Sequence, residues 1–198
     1  MSGVVMELCE IVTLLCENGV AGDVVDWGES SLEFGVSGFP SDYRQFIGTF
    51  GAGGVEDNLS VLIPRPGVQG EPLTVSRLRE SDLLPGARDS WQDSWAAPRP
   101  ELRDMIVWGE TVGADALCWV ASAADPDKWP VAVWERQGGG WALYDCGMAE
   151  FILRVLRADF PRCPLSDASL WGRGSARFLN FRDEDRLWDQ GIDPWEEI

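Results

Sequence analysis

At 198 residues the chain has the length of about one domain, and its 45% hydrophobic content supplies a core. No apolar run is long enough to span a bilayer. A net charge of −17 argues against nucleic acid, itself a polyanion, and favours a basic protein as partner, while the lack of any histidine removes the commonest acid–base group and every Ser-His or Cys-His pair.

The first stretch, residues 5–18, reads as a helix. Val5, Leu8, Cys9, Val12, Leu15 and Cys16 recur at helical spacing, and Gly19 follows as a stop. It is not read as a secretory signal, because it has no basic start and Glu7, Glu10 and Glu17 interrupt it; a cytoplasmic protein is expected. The cysteines, at 9, 16, 118, 146 and 163, are odd in number and scattered, which predicts buried thiols rather than a disulfide framework.

A loop containing Trp27 leads to Pro40. Ser41 stands where an N-cap belongs, Asp42 lies in the first turn, and Tyr43, Phe46, Ile47 and Phe50 form an apolar stripe on a second helix that Gly51 ends. Leu59 to Ile63 is a short strand candidate stopped by Pro64. Residues 72–100 are expected to be helical in part, with Trp91 and Trp95 on one helix face.

Four strands follow, at Met105–Trp108, Ala116–Val120, Val131–Glu135 and Trp141–Tyr144, with turn residues between them; this close spacing predicts antiparallel pairing. Trp108, Trp119 and Trp134 are expected to pack the sheet faces, each with an indole N–H to satisfy. A last helix, Met148–Phe160, carries Phe151, Ile152, Val155 and Leu156 on one face. The order of elements predicts an α+β domain with a single, mostly antiparallel twisted sheet and packed helices. Residues 161–198 hold Trp171, Phe178, Phe181, Trp188 and Trp195, too apolar for a disordered tail, and are expected to pack back on a domain of residues 1–160.

The glycine-rich loop "FGAGGVED" fits neither nucleotide fingerprint. Glu56 stands where a dinucleotide site needs its third glycine, and the chain's one lysine, Lys128, is far from a phosphate-loop position. Gly51 and Gly53 are therefore read as architectural, freeing the backbone at a helix-to-strand turn. Carboxylates are too plentiful for any pair to mark a metal or catalytic site, and no cofactor is expected. Charge is uneven: residues 1–64 carry ten acids against Arg44 alone, a net −9.

The stretch "FPSDYRQFIGTFGAGGVEDNLSVLIP", through Pro40, Tyr43, Phe46, Gly51, Gly53 and Pro64, resembles the SMI1/KNR4 family of the SUKH superfamily. "IVWGETVGADALCWV", "DKWPVAVWER" and "MAEFILRVL" are similar to its later strands and closing helix, so the resemblance runs over roughly residues 1–160. It implies a non-catalytic protein whose bacterial relatives are mostly immunity proteins that bind and neutralise toxin domains, here a basic one. A monomer or weak dimer is expected, with no nucleic acid or membrane partner. The acids expected to meet the toxin are Asp26, Glu29 and Glu33 after the first helix and Glu56 and Asp57 in the glycine loop. A regulatory interaction module and an acid-dependent enzyme are the alternatives; a deep pocket of convergent carboxylates would mark the enzyme.

Overall fold

Hydrophobic strands separated by tight turns pair with their nearest neighbours, and the sheet grows from that rule. The computed structural model describes residues 10–17, 22–65, 73–83, 89–91 and 99–196. Its centre is a meander of four antiparallel strands, β5 (Met105–Thr111), β6 (Ala116–Val120), β7 (Val131–Glu135) and β8 (Gly140–Tyr144). On the other side of β5 lies the hairpin of β2 (Gly53–Val55) and β3 (Leu59–Val61). The described strands include also β1 (Leu15–Glu17), β4 (Ser76–Arg77) and β9 (Ala176–Asn180). They form one sheet in the order β1-β9-β2-β3-β5-β6-β7-β8, with β4 attached to β5. Only the β1–β9 pairing is parallel among these ladders. The protein is thus α+β with one mostly antiparallel sheet.

Residues 10–14 form the helical stretch α1. The other α-helices of the described residues are α2 (Trp27–Phe34), α3 (Ser41–Thr49), α4 (Met148–Leu156) and α5 (Phe181–Asp189). None is long and apolar enough to cross a membrane. α3 and α4 cover one face of the sheet. Tyr43 of α3 meets the Trp119 ring at 4.7 Å and donates its hydroxyl to the Leu62 carbonyl at 2.5 Å. Phe151 of α4 stands edge-on to Trp108. Trp108 is the extra residue of a β-bulge between Val107 and Gly109, which turns its ring toward the helices. Cross-strand pairing puts Trp134 and Trp141 on the opposite face, where Trp91 stacks on Trp141 at 5.5 Å. Trp108, Trp119 and Trp134 are all buried, and the first two keep an indole N–H without an acceptor.

Several elements differ from the sequence expectation. The first helix stops early, because Leu15, Cys16 and Glu17 pair with Ala176, Arg177 and Phe178 as a strand; Cys9 and Gly19 lie outside the described residues. The loop holding Trp27 is a helix, α2, capped by Asp26 and ended by Gly35 at φ 62°. Ser41 is the first residue of α3 and not its cap: Pro40 precedes it, and the Ser41 N–H is met by the Asp127 carboxylate at 2.6 Å. In the stretch 72–100, the described residues hold β4, a 3-10 turn at Glu80–Asp82 and a further 3-10 residue, Asp89; Trp95 and much of the stretch expected to be helical lie outside them. The predicted last helix ends at Leu156, four residues short of Phe160. Residues beyond 160 do more than pack on a finished domain. Their strand β9 fills the slot between β1 and β2.

Candidate partner-binding surface

The acidic segment before α2 is pinned from three sides. The Asp23 N–H donates to the Ile47 carbonyl, its Oδ2 accepts from the Ala52 N–H at 2.8 Å, and its Oδ1 pairs with Arg182 at 2.6 Å. α2 then starts from Asp26, whose Oδ1 accepts from the Glu29 N–H at 2.9 Å. Ser30, Ser31 and Phe34 turn inward, with both serine hydroxyls donating to carbonyls one turn back. The outward side is therefore left to Glu29 and Leu32. Leu32 is 83% exposed, and Val24, just before the helix, is 99% exposed. Asp26 and Glu29 are exposed beside them and Glu33 is half-buried.

Glu56 and Asp57 form the tip of the β2–β3 hairpin. Both have φ of +50°, and the Asn58 N–H closes the turn on the Val55 carbonyl, the geometry of a tight hairpin turn with two left-handed residues. Glu56 is turned inward: its carboxylate accepts from the Arg177 N–H at 2.6 Å and pairs with Arg173 at 3.4 Å and Arg177 at 3.6 Å. Asp57 is exposed. The Asp23–Asp26 segment meets the hairpin at Ala52, and the acidic turn lies beyond the other end of β2, about 13 Å away at ~3.3 Å per extended residue. The fold thus groups Asp26, Glu29 and Glu33 on one helix and keeps Glu56 and Asp57 apart from them.

The glycine loop is closely packed. Gly51 sits at φ 79°, and a side chain there would collide with the Asn180 amide and the Asp23 carboxylate. At Gly53 a side chain would strike the Leu179 carbonyl and the Phe178 ring. Buried Pro40, Phe46 and Pro64 belong to the same framework.

Sequence reasoning missed an acidic concavity of about 510 Å³ where α3 and α4 begin. Asp42, Asp127, Asp145 and Glu150 line it together with Lys128. Asp42 is buried and reaches across to α4, accepting from the Ala149 N–H at 3.0 Å and from its neighbour Tyr43 at 2.7 Å. Burial pushes its carboxyl above the usual carboxylate range. The long stretch of chain between Asp42 and the other acids hid this grouping. A second buried carboxylate, Asp115, ties three turns together, accepting from the Arg136 and Ser166 N–H groups at 2.9 and 2.8 Å and from the Thr111 hydroxyl at 2.9 Å.

Three thiols, Cys118, Cys146 and Cys163, are free, and burial raises the pKa of each. Burial raises Cys118 strongly and pushes Cys146 up to about 12. Among the described residues no group of three or more Cys, Asp or Glu converges as a metal site. No family model, curated protein or solved structure matches the chain.

Proposed function

We propose that the chain is a non-catalytic immunity protein of the SMI1/KNR4 type its sequence resembles, which works in the cytoplasm by binding a basic toxin domain and blocking it. The observation that carries this reading is α2, where Leu32 and Val24 stand almost fully in water among Asp26, Glu29 and Glu33. Exposed aliphatic side chains gain about 25 cal/mol per Å² when a partner covers them. Carboxylates around them steer a cationic partner and raise its association rate. The segment is held rigidly by Asp23, so little ordering is left to be done on binding.

The test titrates the chain against a basic toxin domain of the kind this reading requires, taken from a neighbouring gene. Asp26→Asn keeps the helix cap while removing its charge, and Glu29→Lys reverses the next one. The double variant is expected to associate about tenfold more slowly at low salt, a difference that shrinks at high salt. Leu32→Ala is expected to act on the dissociation rate instead. A wild-type chain that neither binds nor inhibits the toxin overturns the function. Normal binding with both variants at wild-type rates overturns the surface and leaves the function standing.

A further inference from the structure

α5 has the composition of a solvent helix and yet presents an aromatic side chain to water. Trp188 is 50% exposed and Ile192, one turn later, is 49% exposed. The chain reversal that carries Ile192 back to the helix is built in. Gly191 adopts φ 72°, its N–H donates to the Trp188 carbonyl at 2.9 Å, and the Ile192 N–H donates to the Leu187 carbonyl at 3.0 Å. This pair of bonds folds the chain back over the last helical turn, bringing Ile192 to the end of α5 that carries Trp188.

The charges around the patch are unevenly spent. Residues 181–196 carry six acids and two arginines, a net −4. Both arginines are engaged within the chain, Arg182 with Asp23 at 2.6 Å and Arg186 with buried Asp183 at 2.8 Å. Asp185 and Asp189 are exposed, and among the described residues no cation pairs with them. The chain beyond α5 is anchored rather than loose. The Trp195 indole donates to Glu184 at 3.1 Å, and Arg177 donates to the Trp195 carbonyl at 3.0 Å while lying over its ring.

We infer that the exposed Trp188–Ile192 patch of α5 is a docking site for a cationic amphipathic segment of a protein partner, whose apolar stripe covers the patch while its Lys or Arg residues meet Asp185 and Asp189. A half-exposed tryptophan on a fixed backbone is a favourable anchor, since large contact area comes with little ordering cost. Charge decides the occupant. A second copy of the chain would bring Asp185 and Asp189 against their own equivalents, and an anionic bilayer would be repelled by the same groups. This docking site rests on the reading of a basic protein partner and adds a second contact to the one at α2.

The test uses the full chain and a fluorescently labelled amphipathic Leu/Lys helical peptide, with its Leu/Glu counterpart as control. Wild type is expected to bind the Leu/Lys peptide, more weakly as salt rises, and to ignore the Leu/Glu one. Trp188→Ala should weaken binding about tenfold or more, within the range of tryptophan anchors. Asp185→Lys with Asp189→Lys should weaken it and remove most of the salt dependence, whereas Val112→Ala, at an exposed residue of neither proposed surface, should leave it unchanged. Melting curves check that each variant is folded; if Trp188→Ala melts early, Ile192→Glu takes its place. A Leu/Lys peptide that does not bind, or that binds the α5 variants as it binds wild type, overturns the inference. The toxin titration decides the immunity role separately, so failure of either leaves the other readable.

Discussion

Asp42 holds the starts of two helices with one buried carboxylate, and this has a measurable cost. Its oxygens accept from backbone N–H groups of α3 and α4, yet desolvation and the neighbouring Asp127 raise its pKa in the folded protein. A carboxyl raised on folding binds a proton more readily in the native state than in the unfolded one. Its charge therefore costs stability at neutral pH, and that cost is relieved as pH falls from the raised native value toward the unfolded value of about 3.9. Wild type should gain stability relative to Asp42→Asn across that window in urea titrations; parallel pH profiles would show that the native pKa is not raised. At the glycine loop the constraint is steric. Gly51→Val or Gly53→Val is expected to destabilise by about 1–3 kcal/mol, through forced backbone at the first and overpacking against β9 at the second. Unchanged melting of both variants would contradict the collisions that the geometry requires.

At the scale of elements, the C-terminal strand is the piece on which the others depend. β9 pairs with β1 on one side and β2 on the other, and the Phe181 N–H donates to the Ala52 carbonyl as the chain leaves it. Truncation after Pro161 is therefore expected to abolish cooperative melting and leave an aggregating chain, since it strips the pairing edge from two strands at once. A soluble truncated domain with a sharp transition would mean that β1 and β2 stand without β9. This dependence is what the sequence conceals. β6 and β7 are legible to the residue because short alternating runs sit between Gly, Asp and Pro turns, and α3 and α4 because their apolar residues recur at helical spacing. β9 reads only as "ARFLN" in a segment without a visible partner, because its pairing lies more than a hundred residues upstream. β1 continues a helical pattern and is pulled into the sheet by the same strand, tertiary pairing overriding local periodicity. α2 has two inward serines in place of an apolar stripe; its legible signals are the Asp26 cap and the Gly35 stop. The acids of the candidate surface can be named from the sequence, but not sorted. In sequence Glu56 is indistinguishable from Glu29; in the fold Arg173 and Arg177 close on it.

For the whole molecule, the net charge of −17 means that the carboxylates left over after ion pairing set the sign of the field a partner meets. Arg154, Arg157, Arg162, Arg173, Arg177 and Arg182 each pair with one of the chain's own carboxylates. Four of these, Arg157, Arg173, Arg177 and Arg182, tie the C-terminal third to Glu10, Glu56 and Asp23 near the start of the chain. The strand order also acts in time. A ribosome delivers β1, β2 and β3 more than a hundred residues before β9, so the earlier strands must wait for a chain segment that does not yet exist. The emerging chain at residue 161 is the same species as the truncated protein, with the β2 edge open and unpaired. Native pairing then requires closing loops of more than a hundred residues, which places the molecule among slow, high-contact-order folders. During synthesis its vulnerability lies in the interval between making β2 and making β9, when the half-built sheet is open to any chaperone or neighbouring strand that reaches it first.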